Sequence, residues 1–294
     1  MELDYEYLAR ISKDAVLYTS RKTTNILDGG YNSVYLGKSL EFHDIKEYVQ
    51  GDDITSIDWK SSSRTDRLLV RRYVAEKKHS VLIIGDSGVK MDADTQTGEY
   101  KANIALMSMG VIGYLLGRQG ADIGFACSGK SGVINTPFKA GGNCIEELLR
   151  KYGESILEDP TSDVGSLIMS MLQAFPMRRM IIFVITDISG LKSVGNDILS
   201  RMTERNDVYF ICVDDARATG GRVFDRVGGE YIDRFLAGNR SLKKAEEAEI
   251  NGIMTRFKQD ALRNRVVLER VNSESEVVDT VLNLFERGRS GIFG

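Results

Sequence analysis

Four short apolar runs, Ser80 to Ile84, Asp122 to Cys127, Met180 to Thr186 and Val208 to Val213, most narrow what this chain can fold into. Each is rich in Val, Ile and Phe and lacks polar alternation, the pattern of strands covered on both faces. Helical spacing over Tyr100 to Leu116, Cys144 to Tyr152, Asp163 to Phe175 and Val194 to Met202 supplies the covers, with Pro176 closing the third. Strand and helix therefore alternate. That alternation predicts an α/β fold, a doubly wound, mostly parallel sheet with helices on both faces. Ligands of such sheets bind at the carboxyl ends of the strands, so the residues just after each run are the site candidates.

The flanks follow other rhythms. Leu3, Tyr7, Leu8 and Ile11 recur at helical spacing over Leu3 to Leu17, Ser20 to Ser39 reads as a glycine-rich loop, and Leu68 to Val74 reads as a strand with a charged face. Past Asp215 come a connector with Gly220, Gly221, Gly228 and Gly229, a long helix from Ser241 to Arg263 and a strand at Val266 to Val271. Ser273 and Glu276 then stand at capping-box spacing before a closing helix. The expected organisation is an N-terminal helix over 1–24, a β-containing extension over 25–78, the core over 79–215, and a C-terminal helical embellishment over 216–294.

Composition removes several function classes. With 39 basic against 42 acidic residues the net charge is -3, too little field of the right sign to hold a nucleic acid or an anionic membrane. Cys127, Cys144 and Cys212 lie in apolar surroundings without C-x-x-C spacing and read as reduced structural thiols. The apolar stretch Ile104 to Leu116 contains Ser108, Gly110 and Gly113 and falls short of the roughly 20 residues a membrane span needs, so no span is expected. The acidic opening MELDYEYLAR is unlike a secretory signal, which places the chain in the cytoplasm by expectation.

Three motifs invite chemistry. Gly124-x-x-x-x-Gly129-Lys130-Ser131 fits the phosphate-loop pattern, and Asp187 after an apolar strand would suit its acidic partner, which keeps a nucleotide-binding enzyme as the alternative reading. Against it, Gly124 sits inside an apolar run, and Gly132 to Pro137 suit a second strand rather than the helix that must follow the lysine, so a hairpin with Ser128 to Ser131 at its tip is expected. Gly85-Asp86-Ser87-Gly88 resembles a nucleophile string, but only His43 and His79 exist and neither lies downstream to serve as its base. Asp92, Asp94 and Glu99 lack the glycine and closing glutamate of a calcium loop and read as acids favouring the start of the next helix.

One ordered series carries a resemblance: Glu41-Phe42, Tyr48-x-x-Gly51-Asp52-Asp53, Asp58-Trp59 and Arg64, followed by Asp86 to Met91 and Thr186-Asp187. It is similar to bacterial domain-of-unknown-function family fifty-eight, in which such a series precedes a von Willebrand factor A-like domain. Thr55, Ser56, Lys46 and Ser63 depart from the family pattern. In the extension, Asp52, Asp53 and Asp58 could pair with Arg64, Arg67 or Arg71, and Trp59, the only tryptophan, could anchor the segment onto the core. The resemblance implies a Mg²⁺ site of oxygen ligands; carried over, Asp86 and Asp187 remain, Gly88 and Lys90 replace two serines, and Thr161 or Ser162 would supply a loop hydroxyl. With Lys90 expected between the two aspartates, the metal site is degenerate, Mg²⁺ binds weakly or not at all, and no cofactor is expected. The implied function is a non-enzymatic protein-interaction module partnered by a MoxR-type AAA+ ATPase.

Overall fold

The computed structural model describes residues 40–65, 67–75, 79–157, 163–217, 219, 224–225, 230–231 and 239–293. The helix expected over Leu3 to Leu17, the loop over Ser20 to Ser39, the four connector glycines, Thr161 and Ser162 lie outside these residues. The chain divides into two compact units, residues 32–78 and residues 1–31 together with 79–294.

In the smaller unit, strand β1 (Leu40–Glu47) pairs antiparallel with β2 (Leu69–Ala75), with an irregularity between Phe42 and Asp44. The connection carries a 3₁₀ turn (Ile54–Ser56) and helix α1 (Trp59–Thr65). It is pinned to the ladder by Tyr48 N–H donating to the Leu68 carbonyl and Asp58 N–H donating to that of Leu69, both at 2.8 Å. Gly51 turns the chain with φ 110°, a value that strains any residue with a Cβ.

The larger unit runs β3 (Ser80–Gly85), α2 (Lys101–Gly117), β4 (Asp122–Gly129), β5 (Gly132–Lys139), α3 (Gly142–Leu157), α4 (Val164–Ala174) and β6 (Ile181–Asp187). It continues through α5 (Ile188–Ser193), α6 (Asn196–Thr203), β7 (Asp207–Val213), the short pair β8 (Phe224–Asp225) and β9 (Glu230–Tyr231), α7 (Arg240–Arg263), β10 (Val267–Val271) and α8 (Val277–Ser290). Six strands form the central sheet in the order β10-β7-β6-β3-β4-β5. All neighbours are parallel except β5, which returns antiparallel beside β4. The order reverses at β3, so the sheet is doubly wound as the strand and helix alternation predicts.

The apolar runs become strands because both faces are covered. Val81 and Ile83 point to one cluster with α2, α3 and α8, while Leu82 and Ile84 point to another with α4, α6 and α7, the two-residue period of a strand. Helix α2 lies in the first cluster and is buried all round, including its first residue, Lys101. The residues past 216 extend the sheet, since β10 pairs with β7 in parallel and α8 packs beside it.

The phosphate-loop alternative does not survive this topology. Lys130 and Ser131 are the two-residue tip of the β4–β5 hairpin, and a strand rather than a helix follows them. Gly124 lies within β4, where a Cβ would come 3.1 Å from the Phe138 ring, so its absence of side chain serves packing across the hairpin.

Candidate functional site

The carboxyl ends of the central strands gather the charged residues. Asp86 follows β3, Asp187 closes β6, and Asp215 lies just beyond β7. A cavity of about 430 Å³ opens there, lined by Asp86, Gly88, Lys90, Asp163, Asp187 and Ser189 among others.

Each carboxylate is held by the local turn that follows its strand. Asp86 Oδ1 accepts from Gly88 N–H at 2.9 Å, and its Oδ2 accepts from the Thr186 hydroxyl at 2.6 Å. Asp187 caps α5, its Oδ1 accepting from Gly190 N–H at 2.8 Å. Gly190 has no alternative here, because a Cβ would fall 1.8 Å from Thr186 Oγ1 and 2.6 Å from Asp86 Oδ2. From below, the Tyr152 hydroxyl donates to the Asp86 carbonyl at 2.7 Å, passing over Gly85, where a Cβ would lie 2.8 Å from the tyrosine ring.

The cation among these acids is Lys101, which the sequence reading missed. Its side chain is 0% exposed, against 1% for Asp187. The ammonium donates to Asp187 Oδ2 at 2.7 Å, to the Lys90 carbonyl at 2.6 Å and to Asp215 Oδ1. Three N–H groups meet three acceptors, so the ammonium is saturated. Lys90, expected in this place, is exposed and donates to Ser189 Oγ at 3.1 Å; only its backbone carbonyl reaches the cluster. The 3₁₀ turn Val89–Met91 faces the Lys90 side chain outward, whereas α2 begins with its first residue buried among the strand ends.

The electrostatics follow from burial. Asp86 is pushed up to about 6 by burial and by the neighbouring Asp187 charge, against the opposing pull of Thr186, Gly88 and Lys101. Burial works against the charge of Lys101, but Asp187 and Asp215 outweigh it and hold the ammonium above the ordinary lysine value. Burial raises Asp215 as well, with Lys101 opposing.

Two further polar residues at this end of the sheet have structural partners. Asp163 caps α4, accepting from Ser166 N–H at 2.7 Å. Ser87 is buried and exchanges hydrogen bonds with the backbone of Ser128, donating to its carbonyl at 2.6 Å and accepting from its N–H at 3.1 Å, which ties the end of β3 to β4.

In the smaller unit, Asp58 accepts from the N–H groups of Lys60 and Ser61 at 3.1 Å and from Arg71 Nε at 3.0 Å; the Arg71 hydrogen bond, followed by that of Ser61, draws its carboxyl down to about 2. Asp52 pairs with Lys46 at 2.7 Å and accepts from Val49 N–H, while Asp53 caps the 3₁₀ turn through Thr55. Of the expected arginines, Arg71 takes Asp58 and Arg67 takes Glu47, whereas Arg64 is exposed at the end of α1. Trp59 is 66% exposed. Glu41 and Phe42 fall within β1.

Comparison with known proteins places the chain in context. Uncharacterized protein Mb1516 of Mycobacterium bovis and uncharacterized protein Rv1480 of Mycobacterium tuberculosis are each 22% identical over 191 residues, 64% of this chain. The chain spans 60% of the length of these relatives. Among solved structures, a von Willebrand factor type A protein from Catenulispora acidiphila is similar over 76% of this chain and 44% of its own, at 9% identity and TM-score 0.41. The SpRpn10 VWA domain is similar over 70% of this chain and 95% of its own, at 10% identity and TM-score 0.41. The model of the family described as protein of unknown function DUF58 matches residues 44–220, and the chain belongs to that family.

Proposed function

We propose that this chain is a non-enzymatic protein-interaction module of von Willebrand A type whose metal-ion site is degenerate, and that it works with a MoxR-type AAA+ ATPase in the cytoplasm. The observation that carries this reading is the saturated Lys101 ammonium beside Asp187. A divalent ion sharing that carboxylate would stand next to a buried positive charge, and the residue two after Asp86 is Gly88, which offers a backbone N–H rather than a ligand hydroxyl. The donor set therefore does not fit Mg²⁺ while Lys101 is in place. Among the described residues no nucleophile, base or cofactor cradle converges on the cavity, and the loops at the strand ends form the rim on which a partner would dock. The ATPase assignment rests on the family resemblance.

Two measurements test it. Calorimetric titration of the full chain with Mg²⁺ or Mn²⁺ should give no tight binding. Capture from a native lysate should retain an AAA+ ATPase, with no ATP turnover by the chain alone. Micromolar metal affinity sinks the degenerate-site reading; intrinsic turnover sinks the non-enzymatic one.

A further inference from the structure

A second cavity, of about 500 Å³, lies at the opposite, amino-terminal end of β7 and β10. Three guanidinium-bearing residues line it: Arg263 and Arg265 at the end of α7, and Arg289 at the end of α8. The one lining carboxylate, Asp207, already faces Arg179 at 3.6 Å. Arg263 has only a long contact to Asp260, 3.7 Å, and neither Arg265 nor Arg289 has a carboxylate partner among the described residues. The lining amides are committed: Asn264 Nδ2 donates to Asn196 and to the Asp260 carbonyl, and Asn206 Nδ2 donates to the Met202 carbonyl. A chain of net charge -3 thus keeps a concave spot with surplus positive charge, whose available donors are guanidinium groups.

Backbone geometry adds an independent point. Helices α7 and α8 both end beside this cavity with the same closure, in which an N–H just past the helix reaches back five residues: Val266 to the Ala261 carbonyl at 2.8 Å and Ile292 to the Arg287 carbonyl at 3.0 Å. The residue just before the donating N–H must adopt a left-handed conformation. In α8 it is Gly291, φ 67°, as sterics favour; in α7 it is Arg265, φ 57°, the only non-glycine with positive φ among the described residues. A side chain kept where glycine is favoured calls for a use of that side chain. Gly288, inside α8, has a related reason: a Cβ there would sit 2.5 Å from Tyr209 Oη, so its absence lets the phenol lie along the cavity wall. Phe293 supplies an apolar face beside it.

We propose that this cavity binds a small phosphate-bearing anion, held by Arg265 and Arg289 with Arg263 at its rim. Planar guanidinium forks match phosphate oxygens two at a time, and several of them suit a multiply charged ion better than a single carboxylate. The volume lies within the roughly 300 to 1,000 Å³ of small-molecule sites and leaves room for an organic portion against Phe293 and Tyr209.

The test uses the full chain and inorganic pyrophosphate as probe, titrated by calorimetry at low salt. Saturable binding is expected, and R289Q should weaken it about ten-fold. R265G is the decisive variant, because it removes the guanidinium and supplies the residue that backbone sterics favour: its melting temperature should rise or hold while pyrophosphate affinity falls about ten-fold. Exposed Arg150 lies outside the cavity and pairs with Glu154, so R150Q should bind as the wild type does. Absence of saturation at millimolar pyrophosphate, undiminished affinity in R265G, or an equal loss in R150Q would each overturn the assignment.

Discussion

Replacing Lys101 by methionine keeps the length of the side chain and removes its charge. Three hydrogen bonds to the ammonium disappear, at about 1.5 to 3 kcal/mol for each bond involving a charged group. They do not simply add. Asp215 keeps 27% of its side chain exposed and can turn toward water, and the Lys90 carbonyl belongs to a surface turn. Asp187, at 1% exposure, cannot, and its charge meets that of the neighbouring Asp86, which is largely ionised at the assay pH of 7.5. Loss of one partner of such a buried pair costs about 3 to 5 kcal/mol. For a unit of this size that lowers Tm by about 10 °C. Differential scanning calorimetry at pH 7.5 in chelator should show the drop. Millimolar Mg²⁺ should then recover part of it in K101M, where the carboxylates are open, while leaving wild-type Tm unmoved. A K101M Tm within about a degree of wild type would refute the idea that the ammonium holds the strand ends together, and a Mg²⁺-dependent rise in the wild type would refute its role as the resident cation.

Other expectations follow from the same geometry. Asp86 sits at about 6 when folded against 3.8 when unfolded, so it takes up a proton on folding between those values. Its contribution is most favourable below pH 4 and is lost as pH rises through 6, by about 3 kcal/mol in all; urea unfolding of D86N across pH 4 to 7 should lack that share of the slope, and an unchanged slope would count against the burial argument. G190A drives a Cβ into Thr186 and Asp86 and should cost about 3 kcal/mol or more in chemical denaturation, whereas G88A, whose Cβ would meet only Asp86 Oδ1 at 3.2 Å, should cost much less. W59A should leave stability within about 0.5 kcal/mol, since the ring is largely exposed; a large drop in Tm would mean that the indole is covered in the intact protein.

The sheet was legible because its strands are buried on both faces and therefore write uninterrupted apolar runs, and the covering helices write a different period. Asp86 and Asp187 were legible as the polar residues that end those runs. Lys101 was not. Both it and Lys90 follow the first central strand, and spacing alone favours the lysine nearer Asp86. Only the packing of α2, which brings its first turn among the strand ends, decides that the farther lysine turns inward. A usable signal existed nonetheless: Lys101 heads a helix that carries no other charge and is mostly apolar, where a charge needs partners. Asp215 was missed for a similar reason, since its neighbour Asp214 is occupied by Arg270 and sequence cannot say which of two adjacent acids faces in.

A cation carried on a side chain differs from one borrowed from solution in that it cannot be diluted, exchanged or stripped away. The Lys101 charge comes with the polypeptide itself, so on the reading proposed above the electrostatic character of this rim would be independent of the magnesium supply of its surroundings. On that reading, a partner that recognises this rim would read shape and hydrogen bonding, and its docking would not follow divalent-ion concentration.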